Sequence, residues 1–173
     1  MQVAHLEAVT TLAADALCRR LNDALPSDIV VLDVAPADRR FHARHDAVSR
    51  TYLYQVSRRR TAFAKPYVWW VKDTLDATRM QEAAARLSGF HDFRAFTDDE
   101  PGQKSTQVRL ERCTVTDASD LVLVQVEASH FLWKMVRRLV GVLVEVGRGG
   151  LSPSDVSDLL GPAGNRERPA RLT

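Results

Sequence analysis

Two stretches of the sequence combine residue types that could act on a polyanion. In the first, Phe41-His42-Ala43-Arg44 is followed by Arg50-Thr51-Tyr52-Leu53-Tyr54, so that Arg and His stand beside aromatics on an extended segment. Cations hold phosphates, and an aromatic face stacks a splayed base with about 1–3 kcal/mol per base, an arrangement suited to single-stranded or loop RNA. The same tyrosines fit a strand whose rings are core and whose hydroxyls reach the rim. In the second, Ser129-His130-Phe131-Leu132-Trp133-Lys134-Met135-Val136-Arg137-Arg138 runs from a strand into an amphipathic helix. A helix N-terminus favours anions through its free N–H groups and dipole, and Lys134, Arg137 or Arg138 could meet a carboxylate or phosphate there. For Arg138 the pattern is better read as a plain surface position, and for His130 as a turn residue. A third group, His91-Asp92 with Asp98, Asp99 and Glu100, invites a metal-dependent hydrolase reading, but its spacing matches no ligand signature.

Charge and composition narrow the classes. The 173 residues carry a formal net charge of only +2, yet between Arg39 and Arg60 seven arginines and two histidines face the single acid Asp46. Such a stretch attracts polyanions, and a solvated face of an Arg-rich proteome would look the same. Cys18 and Cys113 show no CxxC or Cys/His ligand spacing, which implies a reduced, cytoplasmic protein. No export signal opens the sequence, and no apolar run approaches the roughly 18 residues of a membrane helix.

These residues need elements to position them. Gln2–Ala8 and Asp28–Ala35 read as strands flanking a helix that Thr10 or Thr11 caps and Pro26 stops, a β-α-β unit. Ser49–Ser57 alternates as a strand, with Tyr52, Tyr54 and Val56 on one side. The spacing predicts a helix over 76–87, with Met80, Ala83, Ala84 and Leu87 inward and Gly89 at a left-handed position. Gln107–Thr116 and Leu121–Ala128 pair as strands. The strongest helix runs from Phe131 to Val146, ended by Gly147, with the stripe Leu132, Met135, Val136, Leu139, Val140, Leu143 and Val146. Pro153 opens a last short helix to Leu160, and the Gly-, Pro- and Arg-rich final dozen residues read as weakly structured. The order implies an α+β fold with a mainly antiparallel sheet and helices on one face.

The motifs, taken in order, resemble the TruA family of tRNA pseudouridine synthases. FHAR with the Arg-Thr-Tyr-x-Tyr strand is similar to the family's second motif, and FLWKMVRRLVGVLVEVG to its helical third motif. Between them, Gly89-Phe90-His91-Asp92-Phe93-Arg94-Ala95-Phe96 is similar to the Gly-x-His-Asp-Phe-x-x-Phe turn. Gln2–His5 and Leu21–Ile29 match segments that lead up to FHAR. The resemblance implies a pseudouridine synthase fold, incomplete here at both ends. Residues 1–38 would be a remnant of the N-terminal half-domain and residues 39–173 the C-terminal RNA-binding and catalytic half-domain.

The resemblance also assigns roles. Tyr52 would pack on the target uracil. Arg137 would ion-pair with the catalytic aspartate, favouring the ionised carboxylate. His42, Arg44 and Arg50 would hold the RNA backbone, with Lys134 a lesser candidate for the same task. The reaction implied is isomerisation of uridine to pseudouridine in the anticodon stem-loop of tRNA, at positions 38 to 40, by a homodimer that uses no metal or organic cofactor.

The sequence departs from the family pattern at its most chemical point. The 173 residues contain no Gly-Arg-Thr-Asp-Ala-Gly segment, which carries the nucleophile. Asp15, Asp46, Asp92 and Asp98-Asp99-Glu100 lack the strand-loop context of a substitute. The expectation is a fragment of a synthase, inactive alone and prone to associate through an open sheet edge. The alternative is a non-catalytic RNA-binding homologue.

Overall fold

A computed structural model describes residues 2–98 and 105–161. The chain divides into two compact units, residues 1–47 and 48–173.

The second unit holds a five-stranded sheet in the order β2-β1-β5-β4-β3. Its strands are β1 (Arg50–Ser57), β2 (Trp69–Trp70), β3 (Gly89–Asp92), β4 (Gln107–Ala118) and β5 (Leu121–Ala128). All pairings are antiparallel except the short parallel match of β2 to β1. The expected α+β class with a mainly antiparallel sheet is what forms. β5 shows why: Val122, Val124, Val126 and Ala128 are buried at every second position, the period of a strand covered on one face. β4 needs one correction of step to do the same. A bulge between Leu110 and Arg112 inserts an extra residue, so Val108 and Leu110 before it and Cys113 after it all point into the core. Without that extra residue the alternation would turn Cys113 outward.

Two helices, α2 (Ala77–Leu87) and α3 (Met135–Arg148), complete the core. The expected α2 stripe of Met80, Ala83, Ala84 and Leu87 is the buried one. Its cap is Asp76, whose carboxylate accepts a hydrogen bond from the Arg79 N–H at 3.0 Å. Gly89 follows with a φ of +115°, a conformation that glycine adopts without cost. A short helix α4 (Asp155–Leu159) buries Val156.

α3 differs from expectation at both ends. It begins at Met135 rather than Phe131, because Lys134 stands at φ 60° and breaks the helical path. It ends at Gly149, not Gly147; Gly149 takes the left-handed cap while its N–H donates to Val146. Gly147 is instead inside the helix, buried against Met80 and Leu75. There the absent side chain makes room for α2.

The first unit contains α1 (Ala14–Ala24). Neither Thr10 nor Thr11 caps it: Ala13 holds the N-cap position, and the Thr10 hydroxyl accepts from the Leu12 N–H at 3.1 Å. The two expected strands do not form, since residues 2–8 and 28–35 carry no ladder among the described residues. A strand needs a neighbouring backbone, and the second segment finds a side chain in its place. Asn22 of α1 donates to the Val31 carbonyl at 2.9 Å and accepts from the Val31 N–H at 2.7 Å. An apolar run therefore stays extended without entering a sheet.

Candidate functional site

Tyr52 lies on β1 opposite Val126, on the same sheet face as Val56 and the buried residues of β5. At this end of the strand the helices do not cover it, and the ring is 50% exposed. One partner fixes its orientation. Phe131 meets it edge to face, ring centroids 5.1 Å apart and planes at 82°. Arg50, two residues earlier, is on the same face and donates from its guanidinium to the Ser129 carbonyl at 2.8 Å. The start of β1 is thereby tied to the chain segment that leads from β5 into α3.

That segment is itself clamped. Asp98, just past a 3₁₀ turn at Arg94–Phe96, accepts from both Lys134, at 3.1 Å, and Arg138. Arg138 also donates to the Ala95 carbonyl at 3.3 Å, and the Thr97 hydroxyl donates to the Trp133 carbonyl at 3.1 Å. These contacts over-determine the left-handed backbone at Lys134, which for a residue with a side chain costs on the order of 1 kcal/mol. The hydrogen bond from Lys134, aided by the Arg138 charge, holds the Asp98 carboxyl below the ordinary carboxylate range.

The three cations at the start of α3 therefore divide. Lys134 and Arg138 are committed to Asp98, and the surface position expected for Arg138 gives way to a half-buried ion pair, with 19% of the Arg138 and 29% of the Asp98 side chain exposed. Arg137, on the outward face, is exposed and has no hydrogen bond or ion pair among the described residues. Of the three cations it is the one not engaged with Asp98.

The remaining candidates, His42 and Arg44, belong to the first unit. His42 opens a turn in which its carbonyl accepts from the His45 and Asp46 N–H groups at 3.0 and 2.9 Å. Its Nδ1 accepts from the Arg44 and His45 N–H groups, both at 3.3 Å. Its own N–H donates to Asp46 at 2.7 Å. His5 and His45 pack against its ring, with centroids at 4.5 and 4.2 Å. Arg44 is exposed.

His91 and Asp92, the core of the hydrolase reading, are engaged in the turn they belong to. His91 Nε2 lies 3.0 Å from the Ser88 carbonyl, while Asp92 accepts from the Thr106 hydroxyl at 2.6 Å and the Arg94 N–H at 3.1 Å. Asp99 and Glu100 lie outside the described residues, as do residues 162–173. Among the described residues no group of three His, Cys, Asp or Glu is placed to hold a metal.

Sequence reasoning passed over two participants. Phe131 was visible only as a member of the third motif, because its contact with Tyr52 spans most of the sheet in sequence. Asp98, in the sequence a candidate metal ligand or substitute nucleophile, is in the structure the counter-ion to Lys134 and Arg138. The uneven pairing of three neighbouring cations is a property of space, and no spacing rule exposes it.

Comparison with known proteins follows the same lines. A family model described as tRNA pseudouridine synthase matches residues 83–173. The tRNA pseudouridine synthase A of Paramagnetospirillum magneticum is 38% identical over 162 residues, covering 92% of this chain and 63% of that protein. That of Chromobacterium violaceum is 37% identical over 162 residues, 92% of this chain and 62% of its own length. The tRNA pseudouridine synthase A 2 of Clostridium tetani is 33% identical over 159 residues, 91% and 64% of the two chains. The chain thus spans less than two thirds of the length of these curated relatives.

Proposed function

Because this chain belongs to the tRNA pseudouridine synthase family, we propose that it supplies the uracil platform and the carboxylate-orienting arginine of a uridine-to-pseudouridine isomerase acting on tRNA. The observation that carries this reading is the exposed Tyr52 ring, held by Phe131 beside Arg50, on the sheet face that α3 packs against. An enzyme that works on a base must take it out of its stack, and an aromatic face replaces the lost stacking. Tyr52 provides that face. Arg50 and, from the first unit, His42 and Arg44 hold the backbone of the RNA.

In the proposed chemistry an aspartate carboxylate assists cleavage of the N-glycosidic bond, the freed uracil turns, C5 bonds to the sugar carbon and gives up its proton to solvent, and the freed nitrogen takes up a proton. Arg137 keeps that carboxylate ionised by its opposite charge. Lys134, engaged with Asp98, supports the helix start and adds to the positive field. The protein's part is positioning, worth much of the barrier when reacting atoms are held in line. Action at positions 38 to 40 of the anticodon stem-loop, by a homodimer in the cytoplasm, belongs to the same proposal and is supported by the motif resemblance. So does the division into an N-terminal remnant, 1–38, and an RNA-binding half-domain, 39–173.

The reading is tested by titrating residues 1–173 with tRNA and by tritium release from tRNA labelled at uracil C5. Binding without turnover is expected, with turnover appearing when a polypeptide bearing the Gly-Arg-Thr-Asp segment is added. Arg44→Ala and Arg50→Ala should each weaken binding and lower the salt slope by about 1. The second reading is an RNA-binding homologue without chemistry, which needs only the exposed Tyr52 ring and the cations beside it. Tight binding with no turnover under complementation would select it. No measurable affinity for tRNA would end both.

A further inference from the structure

Beyond Tyr52, β1 borders a second feature. The chain after Ser57 folds back so that residues 66–70 lie along the outer edge of β1. Tyr67 and Val68 donate their N–H groups to the Ala64 carbonyl at 2.8 and 3.1 Å, and the Gln55 amide donates to the Tyr67 carbonyl at 3.4 Å. β2 then pairs with Val56 and Ser57. Between this segment and β1 lies a cleft of about 360 Å³, lined by Leu53, Tyr54, Gln55, Pro66, Tyr67 and Trp69 among others. That volume is at the lower end of clefts that accept small molecules, about 300–1,000 Å³.

The lining is aromatic and apolar, with phenol and amide groups as its polar side chains and no carboxylate. Lys65, next in the chain to the lining residue Pro66, is exposed with no ion pair among the described residues. Tyr67 and Phe63 stand out into solvent, 72% and 98% exposed. Flat faces without carboxylates, beside an exposed lysine, complement a base attached to a phosphate. Of its lining residues on β1, Tyr54 shares the sheet face of Tyr52, two residues away at about 3.3 Å per residue, while Leu53 and Gln55 alternate to the other face.

The geometry points to a second nucleotide subsite: the cleft takes an unstacked base of the same RNA, close to the one on Tyr52, stacked on Tyr67 with its phosphate near Lys65. This rests on the RNA reading proposed above. It adds that recognition extends along β1 to an adjacent, single-stranded nucleotide, so that a loop is bound in preference to a duplex.

The test uses the 173-residue chain and a fluorescein-labelled anticodon stem-loop RNA, with anisotropy read across a KCl series. Tyr67→Ala should weaken binding about tenfold, Tyr67→Trp should restore it, and Lys65→Gln should lower the salt slope by about 0.7. Circular dichroism melts check that these exposed changes leave folding intact. Unchanged affinity for Tyr67→Ala, while Tyr52→Ala and Arg50→Ala still weaken binding, overturns the subsite and leaves the function standing. Loss of no affinity in any of these variants removes the function itself. If Tyr67→Ala and Phe63→Ala alter only the sizing profile, the face is a contact between copies, and the subsite is likewise overturned.

Discussion

The ring of Phe131 meets the ring of Tyr52 edge-on, so a residue on the approach to α3 sets the angle of an exposed aromatic on β1. An edge-to-face pair contributes about 0.5–1.5 kcal/mol beyond buried area. Tyr52→Ala should therefore remove about 1–3 kcal/mol of RNA binding, and Tyr52→Phe should keep most of it. Phe131→Ala should lose an intermediate amount, because the platform remains but is no longer oriented. Fluorescence titration with an anticodon stem-loop measures all three, and equal affinity for Phe131→Ala and the parent chain would separate the two rings.

Gly147 has a packing role inside α3. A Cβ placed on it would sit 2.7 Å from Met80 Sδ and 2.9 Å from Met80 Cγ. Gly147→Ala should then destabilise by about 1–3 kcal/mol through overpacking, against the usual gain from replacing a helical glycine. Urea unfolding gives the value. The double variant Gly147→Ala with Met80→Ala should recover part of the loss, since the clash is with that side chain.

Asp98 links stability to pH. The Lys134 hydrogen bond, with the Arg138 charge, lowers its folded value below the ordinary carboxylate range. A group lowered in this way adds stability that is present in full above the unfolded value and is lost as pH falls through the folded one. The parent chain should exceed Asp98→Asn in stability at neutral pH, and the two should converge in acid. Chemical unfolding across about pH 7 to pH 2 tests this; a gap that stays constant across the series would rule out the carboxylate as its source. Asp117, lowered by its hydrogen bond from Arg58, should follow the same course.

Cys113 is buried under the sheet, and desolvation pushes its thiol up to about 12. The thiolate is the reactive form, so Cys113 should resist alkylation at about pH 8 in the folded chain and react once urea unfolds it. Mass spectrometry of the alkylated peptides resolves it from the half-buried Cys18. Rapid native-state labelling of Cys113 would mean that β4 opens readily.

The sequence by itself determined the elements whose burial has a period. Alternation along β5, the Met80 to Leu87 stripe and the long apolar face of α3 each state which side must leave water, and a core of this size forms only when they do. It also determined the family, through ordered motifs. Only the tertiary structure decided what depends on partners. Residues 28–35 look like a strand, yet a strand exists by virtue of a neighbour, and Asn22 takes that place at Val31. Lys134, Arg137 and Arg138 are alike as letters; Asp98, brought over by the turn after Phe96, engages two of them and leaves Arg137 facing solvent. Which cation is available, and which ring steadies Tyr52, are set by contacts between residues far apart in the chain, and local periodicity carries no record of them.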